Sequence, residues 1–120
     1  MKNFRDLKVW EKAHEVALEC YAVTRGFPKE EMFGLTSQIR RAGASVPANI
    51  AEGCRRSGNA ELHRFLQMAM GSANELEYHF LLSKDLGFLK QEDHNQVHGK
   101  LEEVKRMLAS LLRKVDSERV

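Results

Sequence analysis

Four stretches of this sequence repeat apolar residues at alternating steps of three and four, and none sustains a step of two. That is the helical period, so the chain is restricted to packing amphipathic helices on one another. The cleanest seam is the last: Val97, Leu101, Val104, Leu108, Leu111 and Val115. Before it, Leu62, Leu66, Ala69, Ala73, Leu76 and Phe80 predict a helix opened by Asn59 and closed by Gly87. Leu35, Ile39, Ala42, Val46 and Ile50 predict another over about Leu35–Gly53. Leu7, Trp10, His14, Ala17, Tyr21 and Thr24 predict the first, over about Leu7–Arg25, capped by Asp6 and ended by Gly26-Phe27-Pro28. Composition agrees, with 14 leucines and 11 alanines against 2 isoleucines. A chain of 120 residues supports one good core. The expectation is one domain over residues 1–120: an all-α, up-and-down, left-handed four-helix bundle burying Trp10, Ala17, Ile39, Val46, Leu66, Leu76, Val104 and Leu108.

Pro47 falls inside the second helix, where it removes a backbone donor and crowds the carbonyl four residues earlier. That residue is Gly43, which can adjust, so helix two is expected to be kinked at Pro47. The alternative is a break near Ser45 with a restart at Pro47.

Helices one and three carry more apolar surface than one face. On helix one, Val9, Ala13, Val16, Cys20 and Val23 run beside the first stripe, and together the two cover roughly 160° against the usual 100° or slightly more. Helix three adds Phe65, Met68, Leu82 and Leu86. Either the core is broad, or the surplus packs on another subunit. The width favours the second reading, with Val9, Val16, Val23, Phe65, Met68 and Leu82 as the subunit interface of a homo-oligomer.

Chemistry is sparse. His94, His98 and Glu102 follow one another at single-turn spacing, but HNQVH lacks the glutamate that a zinc-protease helix needs. Glu11 and His14 form one Glu-x-x-His pair where a di-iron bundle needs two, and His14 reads as a hydrogen-bonded core residue. No metal and no cofactor are expected. Two cysteines make neither a disulfide framework nor a zinc module, and Cys54 would be reactive only if exposed beside Arg55 and Arg56. There is no nucleophile elbow and no phosphate loop, so the chain reads as non-enzymatic. It has no apolar run of membrane-spanning length and no signal core, which makes the cytoplasm the expected location.

Net charge is only +2, yet residues 40–64 hold Arg40, Arg41, Arg55, Arg56 and Arg64 against Glu52 and Glu61. Arginine is the side chain suited to bidentate phosphate contact. The group reads as a nucleic-acid-binding surface or, alternatively, as a solvated face with salt bridges between subunits.

The stretch FGLTSQIRRAGASVPANIAEG, Phe33 to Gly53, resembles the signature of the 23S ribosomal RNA intervening-sequence proteins, a four-helix-bundle family. FRDLKVWEKAHEVA, RFLQMAMGSANELEYHFLLSKDLGFL and RMLASLL extend the likeness over roughly Phe4 to Leu112, with local departures at Gly43 and Cys54-Arg55. The resemblance implies a small bacterial bundle that assembles as a homopentamer and has no assigned activity or catalytic residue. That family is similar to an accessory protein of diversity-generating retroelements, which binds nucleic acid and a reverse transcriptase. Arg40 and Arg41 match the family's basic pair, and Arg55 and Arg56 fall in its basic region. The expected function is therefore an oligomeric scaffold binding RNA or DNA, with a reverse transcriptase as a partner by analogy. The alternative is an oligomeric protein–protein adaptor.

Overall fold

All four periodic segments are helices in the computed structural model, which describes residues 3–118. They are α1 (Lys8–Thr24), α2 (Leu35–Arg55), α3 (Asn59–Asp85) and α4 (Gln91–Ser117), with short 3-10 turns at Phe4–Asp6 and Lys29–Glu31. Each helix packs on the next, and α4 returns to α1, which gives a four-helix bundle with an extent of 48 × 23 × 20 Å. No helix among the described residues is long and apolar enough to cross a membrane.

The ends of the helices follow from local chemistry. Asp6 does not cap α1. It belongs to the preceding turn, where Asn3 Oδ1 accepts from the Arg5 N–H at 3.0 Å, and Leu7 takes the cap position without a side-chain bond. Glu31 reaches forward to accept the Leu35 N–H at 3.0 Å, satisfying one orphan donor at the start of α2. At the end of α3, Gly87 has φ +82°, its N–H bonds to Lys84 O, and the Phe88 N–H bonds to Ser83 O. Those two bonds are a Schellman stop, and they turn the chain into α4.

Helix α2 runs unbroken through the buried Pro47, so the alternative of a break and restart is excluded. Gly43 has a second reason to be small. A Cβ there would lie 2.5 Å from Cys20 Sγ, so α1 and α2 meet almost backbone to side chain. Gly53 does the same against α3, where a Cβ would lie 3.0 Å from Phe65 Cβ and 3.1 Å from Leu62 Cδ1.

That close approach sets the rotation of α1. Val9, Ala13, Val16 and Cys20 point into the core, together with Ala17, while His14 and Tyr21 lie outside and Trp10 is half-buried. The small stripe fits the narrow gap; indole and phenol rings do not. The expected burial of Trp10 is therefore only partial, and His14 is exposed and stacked on Trp10 rather than bonded in the core. Ala17, Ile39, Val46, Leu66, Leu76, Val104 and Leu108 are buried as expected.

The same rotation corrects the surplus stripe. Val9 (4% exposed), Val16 (1%) and Phe65 (7%) are inside this single chain and offer no surface to a partner. Val23 and Leu82 pack partly buried against the core, and of the six only Met68 is exposed. Val16→Glu should accordingly unfold the bundle, read as lost helical circular dichroism, rather than release subunits that remain folded.

Gly43→Ala should cost about 1–3 kcal/mol in urea denaturation through overpacking against Cys20. Combining it with Cys20→Ala should lose less than the sum of the two single changes, because the clashing sulfur is gone.

Candidate nucleic-acid interface

The five arginines do not form one patch. Arg41 and Arg55 stand fourteen residues apart on α2, roughly 21 Å at 1.5 Å per residue. Arg40 is a structural tie: its Nε donates to Thr24 Oγ1 at 2.9 Å, and its guanidinium lies 4.8 Å from the Tyr21 ring centroid. Thr24 in turn donates to Cys20 O at 2.7 Å, so this chain of bonds fastens α2 to the last turn of α1.

At the other end of α2, Arg55, Arg56 and Arg64 cluster around the turn into α3. Arg56 Nε lies 3.0 Å from Glu52 Oε2, and Arg64 grips Glu61 with two bonds of 3.1 Å. Both guanidinium carbons sit within 5.0 Å of the Phe65 ring centroid. The Arg64 hydrogen bonds hold the Glu61 carboxyl below its usual range and raise Arg64 in return. Both groups are solvent-exposed, so the pair organises the corner more than it stabilises it. Arg41 and Arg55 are exposed and, unlike Arg56 and Arg64, have no ion-pair partner among the described residues.

Arg41 opens onto a cleft that spacing alone did not disclose. Gln38, Arg41, Ala42 and Ser45 of α2 face Ser72 and Glu75 of α3 across a space of about 490 Å³. Ser72 donates to Ser45 Oγ at 2.9 Å, Asn49 Nδ2 bonds to Ser45 Oγ and Ser45 O at 2.9 Å, and His79 Nε2 meets Glu75 Oε2 at 3.3 Å. A three- and four-residue recurrence of polar side chains (Gln38, Arg41, Ser45, Asn49) was the available signal. The apolar seam beside it masks the pattern.

Apolar surface remains on two different sides. Between α1 and α2 a groove of about 400 Å³ is lined by Trp10, Leu18, Tyr21, Ala44, Pro47 and their neighbours. Phe33, 95% exposed, lies on the adjoining cleft that Tyr21 and Ala44 also line. On α3, Met68, Tyr78 and Leu81 are exposed.

Neither thiol is poised for chemistry. Cys54 is 3% exposed and burial raises its pKa, while burial pushes Cys20 up to about 12. Of His94, His98 and Glu102, the structure brings the last two together with Glu77 of α3, their ligand atoms within 4.8 Å of one another. Lys105 Nζ already sits 2.7 Å from Glu77 and 3.7 Å from Glu102, so the cluster reads as a salt-bridge network. Glu11 is exposed, paired at 3.9 Å with Lys8.

The sequence profile of the 23S rRNA-intervening sequence protein family matches residues 5–110. The chain belongs to that family. It is also similar to the crystal structure of a protein of unknown function from the S23 ribosomal protein family of Bacteroides thetaiotaomicron. The TM-score is 0.79 at 26% identity, covering 87% of this chain and 97% of that one. No curated protein matches.

His94 gives the bundle a pH-dependent element. Its Nδ1 is buried without a hydrogen-bond partner, and burial first, then Lys84 and His98, lowers its pKa below 6.5, with Asp85 opposing. The unfolded chain protonates this residue at a higher pH than the folded one. Stability should therefore fall as pH drops through 6.5, and rise again to its full value above it. Urea melts across that range should show a shallower pH slope in His94→Gln than in the parent.

Proposed function

We propose that the protein is a non-enzymatic, oligomeric helical scaffold that binds RNA or DNA through exposed arginines repeated around the assembly. One observation carries this reading: Arg41 and Arg55 are exposed with no carboxylate to neutralise them among the described residues. Arg56 and Arg64, each already paired, line the same corner as Arg55 and remain accessible. A monomer of net charge +2 is a weak polyanion ligand. An oligomer repeats the same few cations, so several weak contacts act on one strand at high effective concentration.

Self-association is supported by apolar surface on two different sides, the α1–α2 groove and the outer face of α3. Unlike surfaces meeting head to tail give rings when their rotation closes, whereas a single self-complementary patch gives dimers. The number five comes from the family resemblance. The groove also favours a second reading, a protein–protein adaptor whose partner, by the same resemblance, is a reverse transcriptase.

Binding should weaken with salt, with a log–log slope of about −0.7 for each single-strand phosphate contacted. Arg41→Glu combined with Arg55→Glu should abolish the gel shift and leave the sedimentation coefficient unchanged. Arg40 is unsuitable for this test, since its loss unties α1 from α2. Salt-independent binding, or none, refutes nucleic-acid recognition; light scattering that finds a 13.7 kDa particle refutes the oligomer.

A further inference from the structure

The cleft between α2 and α3 has a polar inventory that the protein itself does not use up. Helix interfaces in a bundle are ordinarily closed by apolar side chains. Here the facing residues are small or polar: Ala42 and Ser45 on one wall, Ser72 on the other, with Gln38, Arg41 and Glu75 around them. Ser45 Oγ accepts from Asn49 and shares a hydrogen bond with Ser72 Oγ. Whichever serine donates, the pair retains one hydroxyl hydrogen, and neither hydroxyl bonds a second acceptor among the described residues. Arg41 supplies a fork of N–H donors without a carboxylate partner. Glu75 offers Oε1, since its contact with His79 uses Oε2. Arg41 and Glu75 therefore line one cleft as opposite charges without forming an ion pair.

We propose that this cleft is a ribose-phosphate site: Arg41 and the serine pair hold a phosphate, and Glu75 accepts the hydrogen of a ribose 2′-hydroxyl. The proposal rests on the nucleic-acid reading above and deepens it, because it makes RNA the preferred ligand. A phosphate needs several donors, and Arg41 and Ser45 from α2 with Ser72 from α3 bring them to one cleft. The acceptor beside them repels a second phosphate and so selects a neutral donor, and the 2′-hydroxyl is the donor that RNA has and DNA lacks. A volume of about 490 Å³ lies within the range of small-ligand pockets, and the polar lining suits a sugar-phosphate better than an apolar compound. Free ribonucleotides and RNA strands carry the same group.

The test measures binding of an unstructured oligouridine and its 2′-deoxy counterpart by fluorescence anisotropy, and of uridine monophosphate and deoxyuridine monophosphate by calorimetry. The parent protein should prefer the ribo-oligomer about tenfold, the worth of one hydrogen bond to a charged group. Glu75→Ala, which removes the acceptor altogether, should erase that ratio while strengthening binding to DNA, since a negative charge is gone; Glu75 is exposed, so the fold should tolerate the change. Ser45→Ala with Ser72→Ala should weaken both strands alike and keep the ratio, with circular dichroism checking the fold. Ribonucleotide preference in calorimetry identifies the free nucleotide as a ligand, and preference in the oligomers alone identifies the strand; either supports the site. Salt-dependent binding that ignores the 2′-hydroxyl overturns this site and leaves the scaffold reading standing. An RNA preference that survives Glu75→Ala also overturns it. Absence of any binding removes both.

Discussion

The approach of α1 to α2 at Cys20 and Gly43 is the constraint on which the rest of the bundle depends. With no room for a methyl group between them, only a narrow stripe of α1 can face inward, and Val9, Ala13 and Val16 occupy it. The rotation that buries this stripe turns His14, Leu18 and Tyr21 outward and leaves Trp10 half-buried at the edge of the core. It also places Tyr21 beneath the Arg40 guanidinium and Thr24 against its Nε, so one packing contact fixes both the core of α1 and the loss of Arg40 as a free cation. Gly53 repeats the device at the far end of α2, where it seats Phe65 beneath Arg56 and Arg64.

Helices α2 and α4 were legible in the sequence because each has one dominant apolar side, and α3 because its stripe from Leu62 to Phe80 is the one that turns inward, with Phe65 beside it. The helix-four seam from Val97 to Val115 is buried except for the half-buried Leu111, and α3 begins at Asn59 and stops at Gly87 through its positive φ. Helix α1 has two apolar stripes of similar weight, and area alone favours the one with the larger rings. Which stripe turns inward is decided by the spacing between helix axes, set by a glycine on another helix. A single-helix periodicity contains no such information.

The candidate site was legible in residue type and not in arrangement. Counting charge between residues 40 and 64 picks out the five arginines but treats neighbours in sequence as neighbours in space. On a helix, Arg40 and Arg41 point about 100° apart, so one becomes a bonded strut and the other stays solvated. The cleft beside Arg41 needs serines from two helices separated by 27 positions, a pairing that exists only after α2 and α3 have packed.

The seam between α4 and α1 joins the two ends of the chain, and it has consequences for how the bundle is made. The other three interfaces lie between consecutive helices joined by ten, three and five residues, so their loops close locally. The α4–α1 seam, bridged by Lys100 to Glu19 at 3.2 Å and Lys12 to Glu103 at 3.9 Å, must await the last helix. During synthesis the first three helices leave the ribosome while the flanks that α4 covers are still bare. A nascent chain of this kind is most exposed to helix exchange with a neighbouring copy during the interval before Val97 to Val115 emerge.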